Sequence, residues 1–439
     1  LTDAVRRLEQ LNPDQFELYF ERVTSTKIDA KDQLVDAITR AEDVGLAVRL
    51  LKDRRLGFSY TTSLEPEAIR AAVETAFEIA QVMPEDAYAG LQSFGSSVYP
   101  EVDTADARGP ALPLARKIEL AKSLEAACRS ADRRVTGVRR ATLGERLSEI
   151  HLVDSSGEHL QHRSTLYSAS ITCKAEQDGD SQTGSDFGFS NFLDGLDVAV
   201  VGRRAASFAC EGLGATQPPT LNCPAVLRNS VVAELIEFLS PSFSAEQIDK
   251  GRSMLAGKSG TLVFAEGVTL VDDGLLPGGY ATAPFDAEGV PSRRTVLIDG
   301  GFVSGALYDG YYARKFGVEP TASAVRGIKS PPSIRFSNLS MRKGRVPASE
   351  LVAGISSGVL ITDLMGMHTA NPVTGDFSLG ASGILIEGGK LTRPVKGFAV
   401  AGNVLELFRK MTDIGDDLRF FGNVGAPSVR VSEIAVGGA

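Results

Sequence analysis

The histidines are the first residues to weigh for metal chemistry, because their spacing decides what they could hold. There are four, at His151, His159, His162 and His368. His159 and His162 stand three apart in a segment whose alternation reads as a strand, so their side chains point to opposite faces. That spacing suits a helix, where two imidazoles on one side can grip a metal. His151 alternates with the apolar Ile150 and Leu152, and His368 falls in the loop Met367-His368-Thr369. All four read as scattered surface or hydrogen-bonding residues. A zinc site of carboxylates alone would be weak, since carboxylates suit harder ions. Acids cluster as Asp413, Asp416 and Asp417 and again as Asp272-Asp273. Paired acids can divide acid and base roles when their pKa values are split, but such clusters more often cap turns and accept backbone amides. A serine or cysteine nucleophile needs a histidine base, and no Gly-x-Ser-x-Gly stands on a strand-to-helix turn; Ser357-Gly358 and Ser304-Gly305 read as plain turns.

Composition narrows the classes further. Lys+Arg 46 against Asp+Glu 55 leaves a net charge of −9, which argues against direct nucleic-acid binding, since that needs a basic face. The pairs Arg133-Arg134, Arg139-Arg140 and Arg203-Arg204 read as solvated faces. Cys128, Cys173, Cys210 and Cys223 lie far apart with no Cys-x-x-Cys pair. That fits buried thiols in a reducing, cytoplasmic setting better than a disulfide framework. No apolar run of about 18 residues occurs, so no membrane span is expected.

The elements that must position these residues fall into two halves. The expected class is α+β, with a mixed α/β domain over residues 1–217 and a β-rich, barrel-like domain over 218–439. A helix ends at Asn12-Pro13, and strands are expected over 16–23, 45–51 and 56–61, the last two joined by the charged turn Lys52-Asp53-Arg54-Arg55. Helices follow from Pro66 and over 112–131. Val138, Ala141 and Leu143 suggest one strand, and residues 148–153 and 159–168 suggest a hairpin about Asp154-Ser155-Ser156-Gly157. The strand signal continues through 167–175. The polar, Gly-rich stretch 177–185 reads as a loop and 196–213 as a helix packed by small residues. Gln217-Pro218-Pro219 marks the linker. Beyond it, a helix starts at Val231 and short apolar runs at 262–264, 296–298, 359–361, 384–386 and 398–400 read as strands. Hairpins are expected over 297–303 and 384–391.

Several stretches together resemble the TldD/PmbA family, known also as modulators of DNA gyrase. They are Val44-Gly45-Leu46-Ala47-Val48-Arg49 with Gly57-Phe58-Ser59-Tyr60-Thr61, and Val153-Asp154-Ser155-Ser156-Gly157 with Arg163-Ser164-Thr165. Further on come Ala283-Pro284-Phe285-Asp286-Ala287-Glu288-Gly289-Val290, Tyr311-Tyr312-Ala313-Arg314-Lys315-Phe316-Gly317 and Leu364-Met365-Gly366. The run from Thr374-Gly375-Asp376-Phe377-Ser378 to Gly383, Ala401-Gly402-Asn403, and the run from Asp413 to Leu418 complete the series. The Asp-Phe-Ser-x-Gly-Ala form resembles the PmbA (TldE) branch.

The resemblance implies a dimer, either a homodimer or a heterodimer with a TldD-like subunit, acting on peptides or unfolded proteins. TldD-type subunits carry His-Glu-x-x-x-His on a helix, plus a cysteine near the C-terminus, and bind zinc. Aligned from Lys250-Gly251, that motif falls on Ile236-Glu237-Phe238-Leu239-Ser240-Pro241, and the cysteine falls at Val424. Only Glu237 is kept, as a relic of the zinc-protease glutamate. The expectation is therefore a non-catalytic subunit with no metal of its own, zinc belonging to a TldD-type partner. Thr374, Gly375, Asp376, Asp413 and Asp416 are the expected cleft residues. The alternatives are a non-proteolytic regulator of gyrase or of a toxin–antitoxin pair, and a hydrolase whose site has no recognised motif.

Overall fold

The computed structural model describes residues 1–95 and 97–438. Helix α1 (Thr2–Leu11) ends on Asn12, which takes the left-handed conformation at φ 53°. Long strands follow: β1 (Gln15–Lys31), β2 (Leu34–Lys52) and β3 (Arg55–Thr61). Helices α2 (Pro66–Val82) and α3 (Leu114–Ala131) lead to β4 (Val135–Asp154), β5 (His159–Gln177), β6 (Asp180–Ser190) and α4 (Val198–Glu211). The strands form one antiparallel sheet in the order β3-β2-β1-β4-β5-β6. Three of its four hairpins turn on residue pairs with positive φ, Asp32-Gln33, Asp53-Arg54 and Asp178-Gly179, whose twist matches that of the flanking strands. The first tip is anchored from outside: the Glu125 carboxylate, on α3, accepts from Asp32 N at 2.9 Å and Gln33 N at 2.8 Å.

Two readings of the sequence change here. The supposed loop 177–185 holds only a two-residue turn, and the rest belongs to β6. Polar side chains on the open face of an edge strand concealed it, while Gly184 and Asp186 face inward. Gly184 has no room for a side chain, because a Cβ would lie 2.3 Å from Ala205 O on α4. The separate strands expected around 138–143 and 148–153 are one strand, β4, with bulges near its start. One bulge puts both Val138 and Ala141 into the core, a spacing a regular strand does not give.

All four helices cover one face of this sheet. The other face meets the second half through Tyr19, Ala47 and Leu152, packed with Phe94 and Phe285. That half holds β7 (Leu221–Leu227), α5 (Asn229–Leu239), α6 (Ala245–Asp249), β8 (Leu270–Asp273), β9 (Arg294–Asp299) and β10 (Phe302–Val303). Then come α7 (Gly310–Phe316), β11 (Ala324–Val325), β12 (Ser333–Ile334), β13 (Leu339–Met341), β14 (Ser357–Met365), β15 (Asp376–Glu387) and β16 (Lys390–Asn403). Helix α8 (Val404–Arg409), β17 (Met411–Ile414), β18 (Arg419–Phe421), β19 (Val424–Ala426) and β20 (Val429–Gly437) finish the chain. Strands β16-β15-β14-β7-β20 close into a barrel through β16–β20 pairing, so the second half is barrel-like and mainly β. The expected strand at 262–264 is absent. Leu262 makes one bridge to Phe302, and Phe264 serves the core instead, edge-on to Phe408 at 5.4 Å.

Four buried charges fasten the halves together. Arg49 Nη2 lies 2.8 Å from Glu17 and its Nη1 lies 2.9 Å from Glu288. The Arg326 guanidinium lies 2.6 Å from Glu17 Oε1, off the direction of a hydrogen bond, and stacks 4.1 Å from the Tyr19 ring. Burial alone would raise the Glu17 carboxyl, but Arg326 and Arg49 together hold it below the usual range.

Candidate functional site

Helix α5 carries the segment aligned with the zinc motif. Val231, Val232, Leu235, Ile236 and Leu239 recur at helical spacing and face the barrel core. Ile236 is fully buried there, at 0% exposure. Pro241 stands past the helix end, and Val424 is buried in β19. None of the three offers a metal donor, and an imidazole at 236 would enter an apolar core. The donor set therefore does not fit zinc. Among the described residues, no group of three or more His, Cys, Asp and Glu side chains could hold a metal ion.

The outer face of α5 is different. Glu234 and Glu237 stand one turn apart and both reach solvent. The protein around Glu234, then Asp363 on β14 and Glu237, push its carboxyl up to about 7 although it reaches solvent. Burial raises Asp363 as well. Asp363 lines a cavity of about 600 Å³ between β5, β6 and α4 on one side and the barrel on the other. Arg228, the residue preceding α5, stands at the rim of this cavity and of a neighbouring one of about 660 Å³. It reaches Glu211 of α4 at 2.5 Å and stacks 5.1 Å from the Phe208 ring. A second cross-boundary pair, Arg419 with Asp186 at 2.6 Å, stands close by. The arrangement is a cleft between the halves lined by Arg228 and by Asp363, with Glu234 on the exposed face of α5 outside its lining.

The cleft residues expected from sequence, Thr374, Gly375, Asp376, Asp413 and Asp416, line neither of these two cavities. Thr374, Gly375 and Asp376 form a tight turn: Asn403 Nδ2 donates to Thr374 O at 2.8 Å and Asp376 Oδ1 at 2.9 Å. The same Asn403 caps α8 through Leu405 N at 3.0 Å. Gly375 has φ 84°, and a Cβ there would meet Met254 Sδ at 2.7 Å. Asp413 stands 3.8 Å from Arg430, and Asp416 accepts from Ala348 N at 3.1 Å. Asp417 accepts from Ser428 N at 2.8 Å, and Ser428 Oγ in turn accepts from Asn229 N at the start of α5. No hydrogen bond joins the two turns among the described residues. Glu237 lies on the solvent side of α5, beside Glu234. Sequence reasoning missed Glu234, Asp363, Arg228 and Glu211. The i, i+3 pairing of Glu234 with Glu237 was legible on the helix, but the approach of Asp363 and Glu211 depends on chain folding.

A separate cavity of about 400 Å³ lies between the first sheet and the loops of the second half, lined by Tyr19, Arg146, His162, Asp286 and Arg326 among others. Burial pushes Asp286 up to about 7 and holds His162 down to about 4. His151 and His159 pair on the other face, Nδ1 to Nε2 at 2.8 Å, with Glu149 3.2 Å from His151 Nε2.

Comparison with known proteins agrees with this architecture along the chain. Models of the PmbA/TldA metallopeptidase family match residues 16–80 as domain 1, 108–213 as the central domain and 220–438 as the C-terminal domain. Metalloprotease PmbA of Escherichia coli O157:H7 is 25% identical over 426 residues, covering 97% of this chain and 92% of that protein. The crystal structure of a Thermotoga maritima protein named for modulation of DNA gyrase superposes with a TM-score of 0.91 at 27% identity, covering 99% of each chain. TldE from Thermococcus kodakarensis superposes at 0.90 with 25% identity, covering 100% of this chain and 99% of that one.

Proposed function

The chain belongs to the PmbA/TldD metallopeptidase family, and from that premise we propose that it is the PmbA (TldE)-like, non-catalytic subunit of a peptidase acting on peptides or unfolded proteins in the cytoplasm. The observation that carries this reading is Ile236. At the first position aligned with the zinc histidines, the side chain is sealed into the barrel core rather than turned to the cleft. The cleft between the halves then serves to hold or orient an extended peptide, with Arg228 and Asp363 along its lining. The test is to purify the chain alone and together with a TldD-type subunit and to assay cleavage of an unfolded peptide. The reading expects cleavage only when both chains are present, and chelator abolishes it. Chelator-sensitive cleavage by this chain alone overturns it.

One observation favours a second reading. A carboxyl near 7 beside another acid is the arrangement a carboxylate acid–base pair uses, which makes Glu234 with Asp363 a hydrolytic candidate. Chelator-resistant hydrolysis by the lone chain, abolished by Glu234→Gln, would establish it. No activity in the lone chain rejects it.

A further inference from the structure

The cavity of about 400 Å³ beside the first sheet shares no lining residue with the cleft that holds Arg228. Its wall carries two cations, Arg146 and Arg326, and two acids, Glu21 and Asp286. Arg326 is the least satisfied of the four. Its side chain is fully buried, and its Nε and Nη1 have no hydrogen-bond partner among the described residues. Nη2 lies 2.6 Å from Glu17, an acid that Arg49 already holds at 2.8 Å. Unpaired buried donors are costly, and a carboxylate sets two acceptor oxygens side by side, as a guanidinium fork requires. Asn191, also in the wall, has the opposite lack. Its Nδ2 donates to Thr165 O at 3.1 Å, while its buried Oδ1 accepts from nothing among the described residues.

The acids call for a cation in the same ligand. Arg146 stands 3.9 Å from Glu21, and the backbone N–H groups of Glu288, Val290 and Ala324 donate to Asp286. Burial nevertheless raises both carboxyls, and a cation beside them offsets that cost. Two cations with two acids in one wall suit a zwitterion better than a bare anion. Tyr280, Phe285 and Phe336 add apolar surface to the same wall, and the volume suits a molecule of dipeptide size.

We infer that this cavity binds a small zwitterion of dipeptide size with apolar side chains, its carboxylate taken by Arg326 and its ammonium group by Asn191 and the acids. Such binding does not depend on the peptidase reading, because the lone chain is assayed and no cleavage is read. The test is isothermal titration calorimetry on the full chain with leucyl-phenylalanine. The expected result is saturable binding of one dipeptide per chain. The C-terminal amide of the same dipeptide lacks the carboxylate, and its N-acetyl form lacks the ammonium group. Each should bind at least about tenfold more weakly. Arg326→Met should bring the dipeptide down to the level of its amide. Ala283→Phe, which puts a large ring into the cavity wall, should abolish binding. Circular dichroism confirms that each variant is folded, and where Arg326→Met does not fold, the amide and Ala283→Phe decide. No binding of the dipeptide, equal binding of the amide or the N-acetyl form, a folded Arg326→Met that binds as tightly as the parent, or a folded Ala283→Phe that still binds overturns the proposal.

Discussion

Arg49 and Glu288 meet at 2.9 Å, both almost fully buried, across the contact between the two halves of the chain. Arg49 also holds Glu17, so one guanidinium neutralises an acid from each half. Removing one member of such a set leaves a buried charge without its partner, which costs about 3–5 kcal/mol. Arg49→Met is expected to lower stability by that order in urea unfolding. The double variant Arg49→Met with Glu288→Leu should lose about 1–3 kcal/mol less than the sum of the singles. Additive losses would mean that the contact carries no coupling.

Asp286 gives a pH dependence with a definite sign. Its folded carboxyl is raised by burial to about 7, above the unfolded value, although Glu288 N and Val290 N donate to its Oδ1 and Ala324 N to its Oδ2. The folded state then binds a proton that the unfolded state has released, so this group's contribution is present at low pH and is lost as pH rises toward and through about 7. Asp286→Asn should flatten the fall in melting temperature between mildly acidic and neutral pH. An unchanged slope would show that Asp286 stays ionised. Glu17 acts in the opposite direction: its carboxyl is lowered, so its contribution is present above the unfolded carboxyl range and is lost only as pH falls through its lower folded value.

Gly57 on β3 tests the packing of α2. A Cβ there would lie 1.9 Å from Ala76 O, a backbone atom that can move only with its helix. Gly57→Ala should destabilise by about 1–3 kcal/mol, read from the denaturation midpoint. A neutral effect would mean that α2 is free to shift.

Cys128, Cys173, Cys210 and Cys223 are all buried and free. A thiol reagent should label almost none of them in the folded chain and all four in guanidinium. Rapid labelling under native conditions would contradict the packing of α3 and α4 on the sheet.

Local physics made much of the fold readable. The turns at Asp53-Arg54 and Asp154 to Gly157, the helix opening at Pro66 and the helix ending at Asn12 all follow from residue chemistry at single positions. Where tertiary context decides, reading failed. β6 is polar because its outer face is wet, and it is held by glycine-tight contact with α4. Phe264 looked like strand and became core, because a large apolar side chain satisfies either role. At the site, the residues aligned with the zinc motif could be placed on one helix. Which side of that helix faces the barrel could not be told from them alone. The Thr374 and Asp413 turns drew notice for polar chemistry that the structure spends on capping α8 and tying down neighbouring loops.

The central claim concerns metal, and the metal content of the purified lone chain tests it most directly. After loading with excess zinc and desalting, elemental analysis should find far less than one zinc per chain, while a TldD-type subunit treated alongside retains it. One zinc held per chain, removed by chelator and lost on substitution of Glu234 or Glu237, would contradict the claim.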